Sequence, residues 1–271
     1  MDEKSFLSEY SIENYERPSV TTDIAVFALR YEENGNYRQN SSKKLSVLLI
    51  KRGEYPYKGM WALPGGFLRK GETVEECAVR EIFEETSVKP LSLIPAGVFS
   101  KPNRDPRGWI ISNAFASVIG KAEKNPKAGD DAADVQWFDV TFEKENNGKY
   151  CLKLVCKDKE LVSSLNEIKD AFGKISFEAE EKGKLAFDHA EIIASSITEL
   201  RRRAKHFDII FDFLPDKFTL TELQNVQEAI MNISVTPANF RRKISGYVVE
   251  TDEYTQGDGH RPARLYKRNN L

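Results

Sequence analysis

The chain has 271 residues, 40% of them hydrophobic, with 40 basic against 42 acidic side chains and a formal net charge of −2. That length suffices for two domains with cores of their own, and the near-neutral balance excludes nucleic-acid binding by bulk charge, so any basic surface has to be local. Three cysteines without metal-ligand spacing, Cys77, Cys151 and Cys156, and an N-terminus lacking the basic-then-apolar order of a secretion signal point to a reducing, cytoplasmic setting. No apolar run reaches membrane-spanning length, so no membrane partner is expected.

Ser19–Leu29 and Lys44–Lys51 are β-branched apolar runs separated by a polar, Asn-rich turn, and they read as two strands of one sheet. KRGEYPYKGMWALPGGF then leads into Gly66–Val88, GFLRKGETVEECAVREIFEETSV, the most informative stretch of the chain. With Arg80–Val88 taken as helical, Glu81 and Glu85 stand one turn apart with Glu84 beside them. Three carboxylates this close repel one another unless a cation sits among them, and oxygen-rich clusters suit hard ions such as Mg²⁺ or Mn²⁺. Arg80 lies four residues before Glu84, and Glu72 in the loop can reach back to pair with it, pinning loop to helix. Gly65, Gly66 and Gly71 let the loop turn tightly and bring its backbone close to an ion or a phosphate. The plain alternative is a solvated helix face with weak internal pairs, common in a chain with 30% charged residues.

The order Gly66, five residues, Glu72, seven residues, Arg80-Glu81-Ile82, one residue, Glu84-Glu85, one residue, Ser87-Val88 resembles the Nudix box. It departs once, with Ser87 where the family has glycine. The resemblance implies an α/β fold, the Nudix α/β/α sandwich with a mixed sheet, whose loop-helix binds a divalent metal and the diphosphate of a nucleoside diphosphate linked to another group. Carried over position by position, it makes Glu81 and Glu85 metal ligands and Glu84 a ligand or the group that orients or deprotonates water. Arg80 with Glu72 takes a structural role, and Gly66 and Arg80 border the substrate. The implied reaction is Mg²⁺-dependent attack of water on phosphorus. The family's glycine position calls for a positive φ, so Ser87 costs about 1 kcal/mol or less of local strain.

LSLIPAGVFSKP and GWIISNAFASVIG alternate as further strands, with NRDPRG between them. Arg107 sits at that turn, where it could reach a phosphate, although an ordinary Asp-Pro turn reads the same way. DPR before an aromatic and aliphatic strand, together with Pro102, resembles the ADP-ribose pyrophosphatases and their regulatory relatives, which implies ADP-ribose or a related nucleotide as small-molecule ligand. Asp130 and Asp131 read as a solvated loop, and by the same resemblance as contributors near the site. Residues 142–183 turn polar and lysine-rich, an inserted hairpin or extra strands within a Nudix domain spanning 1–200. Next, LAFDHAEIIASSITELRRRA has helical spacing, with Asp188 as cap and His189 as a packed or capping side chain ahead of a catalytic one.

Residues 201–271 are organised differently. KHFDIIFDFLP reads as a short amphipathic helix ended by Pro215, FTLTELQNVQEAIM as a helix capped by Thr219 or Thr221, TPANFRRKIS as a third, and YVVETDEYTQGDGHRPARLYKR as a hairpin. That order is a winged helix-turn-helix domain. Asn239, Arg241, Arg242 and Lys243 would lie on the third helix and His260, Arg261 and Arg264 on the wing, a local basic surplus suited to double-stranded DNA. A protein-interaction module with its arginines paired to the first domain is the alternative. The two-domain order, with FTLTELQ, NFRRKI and GHRPARLY, resembles the Nudix-related transcriptional regulators and implies a homodimer on paired half-sites. Two functions stay open: a Mg²⁺-dependent hydrolase, placed first, and a DNA-binding regulator whose Nudix domain senses ADP-ribose or a pathway metabolite.

Overall fold

The structure, a computed structural model, describes residues 2–31, 43–120, 132–255 and 262–269. A short helix, α1 (Glu3–Glu9), is capped by Asp2 and buries none of its residues. Strands β1 (Ser19–Tyr31) and β2 (Lys43–Arg52) form where the apolar runs placed them and pair antiparallel. They are joined by β3 (Trp61–Ala62), β4 (Gly65–Phe67), β5 (Ser92–Phe99), β6 (Ile110–Val118) and β7 (Ala132–Lys144). After these come β8 (Tyr150–Cys156), β9 (Lys159–Lys169) and β10 (Ile175–Glu181).

The sheet runs β10-β9-β8-β7-β2-β1-β6-β5, with β3 on β2 and β4 on β1. β6 lies parallel to β1 and the other pairs are antiparallel, so the sheet is mixed as expected. Because side chains alternate along a strand, β1 sends Ala25 and Phe27 to one face and Ile24, Val26 and Ala28 to the other, and all five are buried. Helix α2 (Val74–Thr86) covers the second face with Ala78 and Ile82. Helix α3 (His189–Lys205) covers the first with Ile192, Ile193, Ile197 and Leu200. Each fully buried Ile or Phe in these layers contributes roughly 1.5–3 kcal/mol, and together they hold the α/β/α sandwich.

Residues 142–183 form extra strands. β8, β9 and β10 continue the sheet from β7 as an antiparallel meander, with Leu152, Leu154, Leu161, Leu165 and Phe177 facing the α3 side. Helix α3 runs across the division expected at residues 200 and 201, and Leu223, Val226, Ile230, Phe240 and Ile244 of the C-terminal part join the same buried cluster.

One expected helix is different. Between Lys205 and Pro215 the chain makes a 3-10 turn, Ile209–Phe213, because α3 ends at a cap on His206 and Phe207 takes φ 60°, reversing the chain. Ile209, Ile210, Phe211 and Phe213 are all buried, and Asp212 is the one polar residue of the turn. Helix α4 (Leu220–Met231) begins with a capping box in which Thr219 accepts the Glu222 amide at 3.1 Å and Glu222 accepts the Thr219 amide at 2.8 Å. Thr219 is therefore the cap rather than Thr221. Helix α5 (Pro237–Ile244) follows, and strands β11 (Val248–Tyr254) and β12 (Arg264–Arg268) close the winged helix as an antiparallel hairpin.

Candidate functional site

The loop-helix element starts earlier than Arg80. Thr73 and Glu76 form a capping box that launches α2 at Val74, and the helix stops at Thr86. Ser87 then takes φ 58°, ψ 15°, the left-handed cap that glycine would adopt without strain, and its amide still reaches Phe83 O at 2.9 Å. Upstream, a Cβ on Gly66 would lie 2.4 Å from Glu81 Oε1, so only glycine lets this carboxylate rest on the loop. Gly65 is as tightly placed against β1, where an added Cβ would meet Thr22 O at 2.1 Å.

Arg80 is the hub of the element. Its Nε and Nη2 donate to Glu72 at 3.0 and 2.6 Å, the loop-to-helix pin expected from the sequence, and Nη2 also reaches Phe67 O at 3.3 Å. The same guanidinium takes Glu81 at 2.5 Å and Glu84 at 3.1 Å through Nη1, and Glu84 is shared with Arg69 at 3.2 Å. Hydrogen bonds from Arg80 hold the Glu72 carboxyl down at about 2. Arg80 thus spends its donors on the box and is not among the residues that line the cleft.

Glu85 is different. Its Oε2 accepts the Gly65 amide at 2.9 Å, and burial, with Glu81 and Asp23 nearby, pushes its carboxyl up to about 8 against the Gly65 bond and Arg52. An acid so placed invites either a proton or a cation. Glu81, Glu84 and Glu85 supply the oxygen donors that a hard divalent ion prefers, and all three border one cleft. They are not gathered for it: among the described residues no three His, Cys, Asp or Glu side chains converge closely enough to hold an ion. The donor chemistry fits a metal, while the present positions of Glu81 and Glu84 fit Arg80.

The cleft encloses about 430 Å³ between β1, the β2–β3 connection, the box and the β5–β6 loop. Arg107 lines it as expected, forked onto Asp105 at 3.0 and 2.7 Å, with its guanidinium 5.1 Å from the Phe67 ring and 5.5 Å from Phe187. Arg52 lies 5.0 Å over the Phe187 ring as well, and burial together with Arg107 lowers its pKa. Two guanidiniums and two aromatic rings in one opening are suited to an anionic group carrying a flat base.

Behind them is a buried set that sequence reasoning missed. Arg104, with only 4% of its side chain exposed, forks onto Asp188 at 2.8 and 2.6 Å and reaches Asp23 at 3.2 Å. Ser112 donates to Asp23 at 2.6 Å, and His189 Nε2 faces Asp23 Oδ1 at 3.4 Å. Burial alone would raise the Asp23 carboxyl, but His189, Arg104 and Ser112 outweigh it and hold Asp23 well below the usual range. His189 Nδ1 accepts the Leu63 amide at 2.8 Å, so it ties the start of α3 to the link between β3 and β4 that leads into the box. Asp188 sits at the N-cap of α3 but makes no capping bond, its oxygens being taken by Arg104. The available signal was Asp23 itself, a charged residue inside the apolar run of β1.

In the winged helix, Phe240 and Ile244 point into the core and leave Asn239, Arg241, Arg242 and Lys243 exposed on α5. Arg264 on β12 is paired with Glu250 and donates to Tyr254 Oη at 2.9 Å. His260 and Arg261, like Asp130 and Asp131, lie outside the described residues.

The family model described as NUDIX domain matches residues 22–150, and that described as NrtR DNA-binding winged helix domain matches residues 210–267. A putative 8-oxo-dGTP diphosphatase of Bacillus subtilis is 30% identical over 141 residues, 47% of this chain and 89% of that protein. The chain belongs to the Nudix family. Within it, the chain is 28% identical over 269 residues to the ADPR responsive transcriptional repressor NtrR of Acinetobacter baylyi, covering 98% of this chain and 88% of the repressor. An ADP-ribose pyrophosphatase of Methanocaldococcus jannaschii is 52% identical over 99 residues, 36% of this chain and 57% of the enzyme. A crystal structure of a MutT/nudix family protein from Enterococcus faecalis superposes with TM-score 0.74 at 28% identity, covering 99% of this chain and 94% of the other. The chain thus carries a Nudix domain followed by a winged-helix domain and is close to the Nudix-related transcriptional regulators. Among the described residues no helix is long and apolar enough to cross a membrane.

Proposed function

We propose that this protein is a DNA-binding regulator whose Nudix cleft senses ADP-ribose or a closely related nucleoside diphosphate derivative. The observation that carries the reading is α3. Its first residue, His189, is part of the cleft, and its Arg201 donates to Phe142 O of the sheet at 2.9 Å and to Ile230 O of α4 at 3.1 Å. One rigid element therefore touches the ligand cleft at one end and the DNA-binding module near the other. Arg52 and Arg107 would take the diphosphate, and Phe67 or Phe187 a base. Asn239, Arg242 and Lys243 would face the major groove, with a homodimer presenting two copies of α5 to paired half-sites.

Hydrolysis is the second reading, favoured by the retention of Glu81, Glu84 and Glu85 on the cleft and by the kinship to an ADP-ribose pyrophosphatase. Mg²⁺ or Mn²⁺ bound there would supply charge neutralisation at the diphosphate oxygens. The sequence put this reading first. Engagement of Glu81 and Glu84 by Arg80, together with full-length likeness to a repressor, favours the regulator.

The deciding experiment is fluorescence anisotropy of a labelled duplex from upstream of the protein's own gene, with and without ADP-ribose, run beside an assay for AMP release with Mg²⁺. A shift in DNA affinity on adding ADP-ribose, without turnover, is expected. Absence of DNA binding at low salt, or DNA binding indifferent to nucleotide, rules out the regulator. Rapid AMP release makes the protein an enzyme as well.

A further inference from the structure

Phe187 stands where the nucleotide cleft meets the helix that joins the domains, in a backbone conformation that phenylalanine seldom adopts. Its φ is 53°. In the left-handed region the Cβ crowds the backbone, so a bulky residue stays there only while its surroundings hold it. Those surroundings belong to the cleft: Arg52 lies 5.0 Å and Arg107 5.5 Å from the ring centroid, and Tyr57 meets the ring edge-on at 4.7 Å. The Phe187 ring is only 4% exposed, against 42% for Phe67, so a stacked base falls to Phe67 and leaves Phe187 to another role.

The two arginines that cover the ring are also the ones with donors to offer. Among the described residues Arg52 makes a single side-chain hydrogen bond, from Nε to Pro56 O at 2.7 Å, and Arg107 engages Asp105 through Nε and Nη2. Nη1 and Nη2 of Arg52 and Nη1 of Arg107 are therefore open to an anion. On its other side Phe187 leads straight into α3. The His189 amide closes a turn onto Ala186 O at 3.2 Å, spanning Phe187 and Asp188. Asp188 O then accepts the amides of Glu191 at 2.9 Å and Ile192 at 3.2 Å, the bonds that start the helix. A change of backbone at Phe187 moves that acceptor.

We propose that Phe187 passes occupancy of the cleft to α3. The inference rests on the nucleotide-sensing reading above and names the device that carries it. A ring face attracts a guanidinium through the cation's charge. A diphosphate bound by Arg52 and Arg107 neutralises both charges, whether or not the side chains move, and the ring loses the contacts that hold it. The backbone at Phe187 then relaxes out of the left-handed region and re-aims Asp188 O, and with it the first turn of α3. The nucleotide thus favours one state of this turn, and DNA affinity changes to the extent that the winged helix distinguishes the two states.

The test uses the full-length protein and the labelled duplex from upstream of its own gene, followed by anisotropy without nucleotide and with saturating ADP-ribose. Phe187→Leu keeps an apolar side chain but offers no ring face. Without nucleotide it is expected to bind DNA as the wild type does at saturating ADP-ribose. Its ratio of affinities with and without nucleotide is expected to fall to about one, from a wild-type ratio in the usual range for coupled sites of about 5–150. Phe187→Tyr restores the ring face and is expected to restore the ratio. Should Phe187→Leu melt early, Phe187→Met takes its place with the same expectations. A wild-type ratio in Phe187→Leu overturns this inference alone. So does a variant that binds DNA as unliganded wild type does and gains no thermal protection from ADP-ribose, because Phe187 is then only a ligand contact. A wild-type protein whose DNA affinity ignores ADP-ribose refutes the sensing reading itself, and this inference falls with it.

Discussion

Replacing Arg104 with methionine tests whether the buried charge set organises the Nudix cleft. Arg104 is held by Asp188 and Asp23 with both carboxylates themselves largely buried, so its removal takes the shared cation from two acids that have little access to water. Breaking a buried pair by deleting one partner costs about 3–5 kcal/mol, and at roughly 2–4 °C per kcal/mol for a chain of this size the melting temperature should fall by some 6–20 °C. The pH dependence supplies a second readout. In the wild type the folded pKa of Asp23 is depressed, so its contribution to stability is present above the unfolded value near 3.9 and lost as pH falls through the folded value. Without Arg104 the folded pKa of Asp23 rises, and the variant loses less on acidification. The gap between the two proteins should therefore narrow as the pH falls below about 4, the unfolded value of an aspartate. Thermal melts followed by circular dichroism across that range measure both effects. Equal melting temperatures at neutral pH, or a gap that stays constant with pH, would refute the idea that Arg104 balances these acids.

Four further outcomes are expected. Glu85 has its folded pKa raised to about 8, so the stability it contributes is present below the unfolded value and lost as pH rises through about 8. Glu85→Gln should remove that loss, worth a few kcal/mol, and an unchanged pH profile of melting would show that Glu85 is not responsible. The same variant should abolish any Mg²⁺-dependent release of AMP from ADP-ribose, and undiminished turnover removes Glu85 from the chemistry. Arg242→Ala with Lys243→Ala should weaken duplex binding and lower its salt slope by about two, measured by anisotropy, with a wild-type slope counting against contact through α5. Arg201→Met should leave the carbonyls of Phe142 and Ile230 without their donor, at about 1–3 kcal/mol each where water is excluded. Limited proteolysis should then cut between α3 and α4 faster than in the wild type, and equal rates would mean that apolar packing alone joins the domains.

What the sequence made visible follows from how local each signal is. The box spacing, the pin between Glu72 and Arg80 and the left-handed cap at Ser87 depend on residues within one loop and one helix, and they are found where the residues and their resemblance to the Nudix box placed them. The winged helix was readable for the same reason, since Thr219 and Glu222 announce their own helix start. The 3-10 turn before it was misread because its shape depends on a reversal at Phe207 and on the burial of four of its five side chains. Arg104, Asp23, Asp188 and His189 were invisible as a group, being brought together from sites 81 to 89 residues apart, or more, by the parallel pairing of β1 with β6 and the packing of α3. The grip of Arg80 on Glu81 and Glu84 depends on side-chain choice: spacing permits a shared cation and a shared arginine equally well.

That choice bears on how the two halves can communicate. A nucleotide alters DNA affinity only by binding one arrangement of the domains better than another, and whatever factor it imposes on DNA binding, DNA imposes on nucleotide binding. The connection between them is stiff. Asp188 and His189 anchor the start of α3 to Arg104, Asp23 and Leu63, and twelve positions beyond His189 the same helix holds Arg201 against a carbonyl from each domain. A diphosphate settling beside Arg107 and Arg52 adds negative charge next to Asp23 and Asp105, and Arg104 is the cation already shared between Asp23 and α3. A shift of Arg104 towards the ligand would loosen its fork on Asp188, at the start of the helix from which Arg201 holds α4. Coupling along this line is lost when Arg104 or Arg201 is removed even though neither is expected to touch DNA. A variant at either position that still shows the wild-type ratio of DNA affinities with and without ADP-ribose would place the coupling elsewhere.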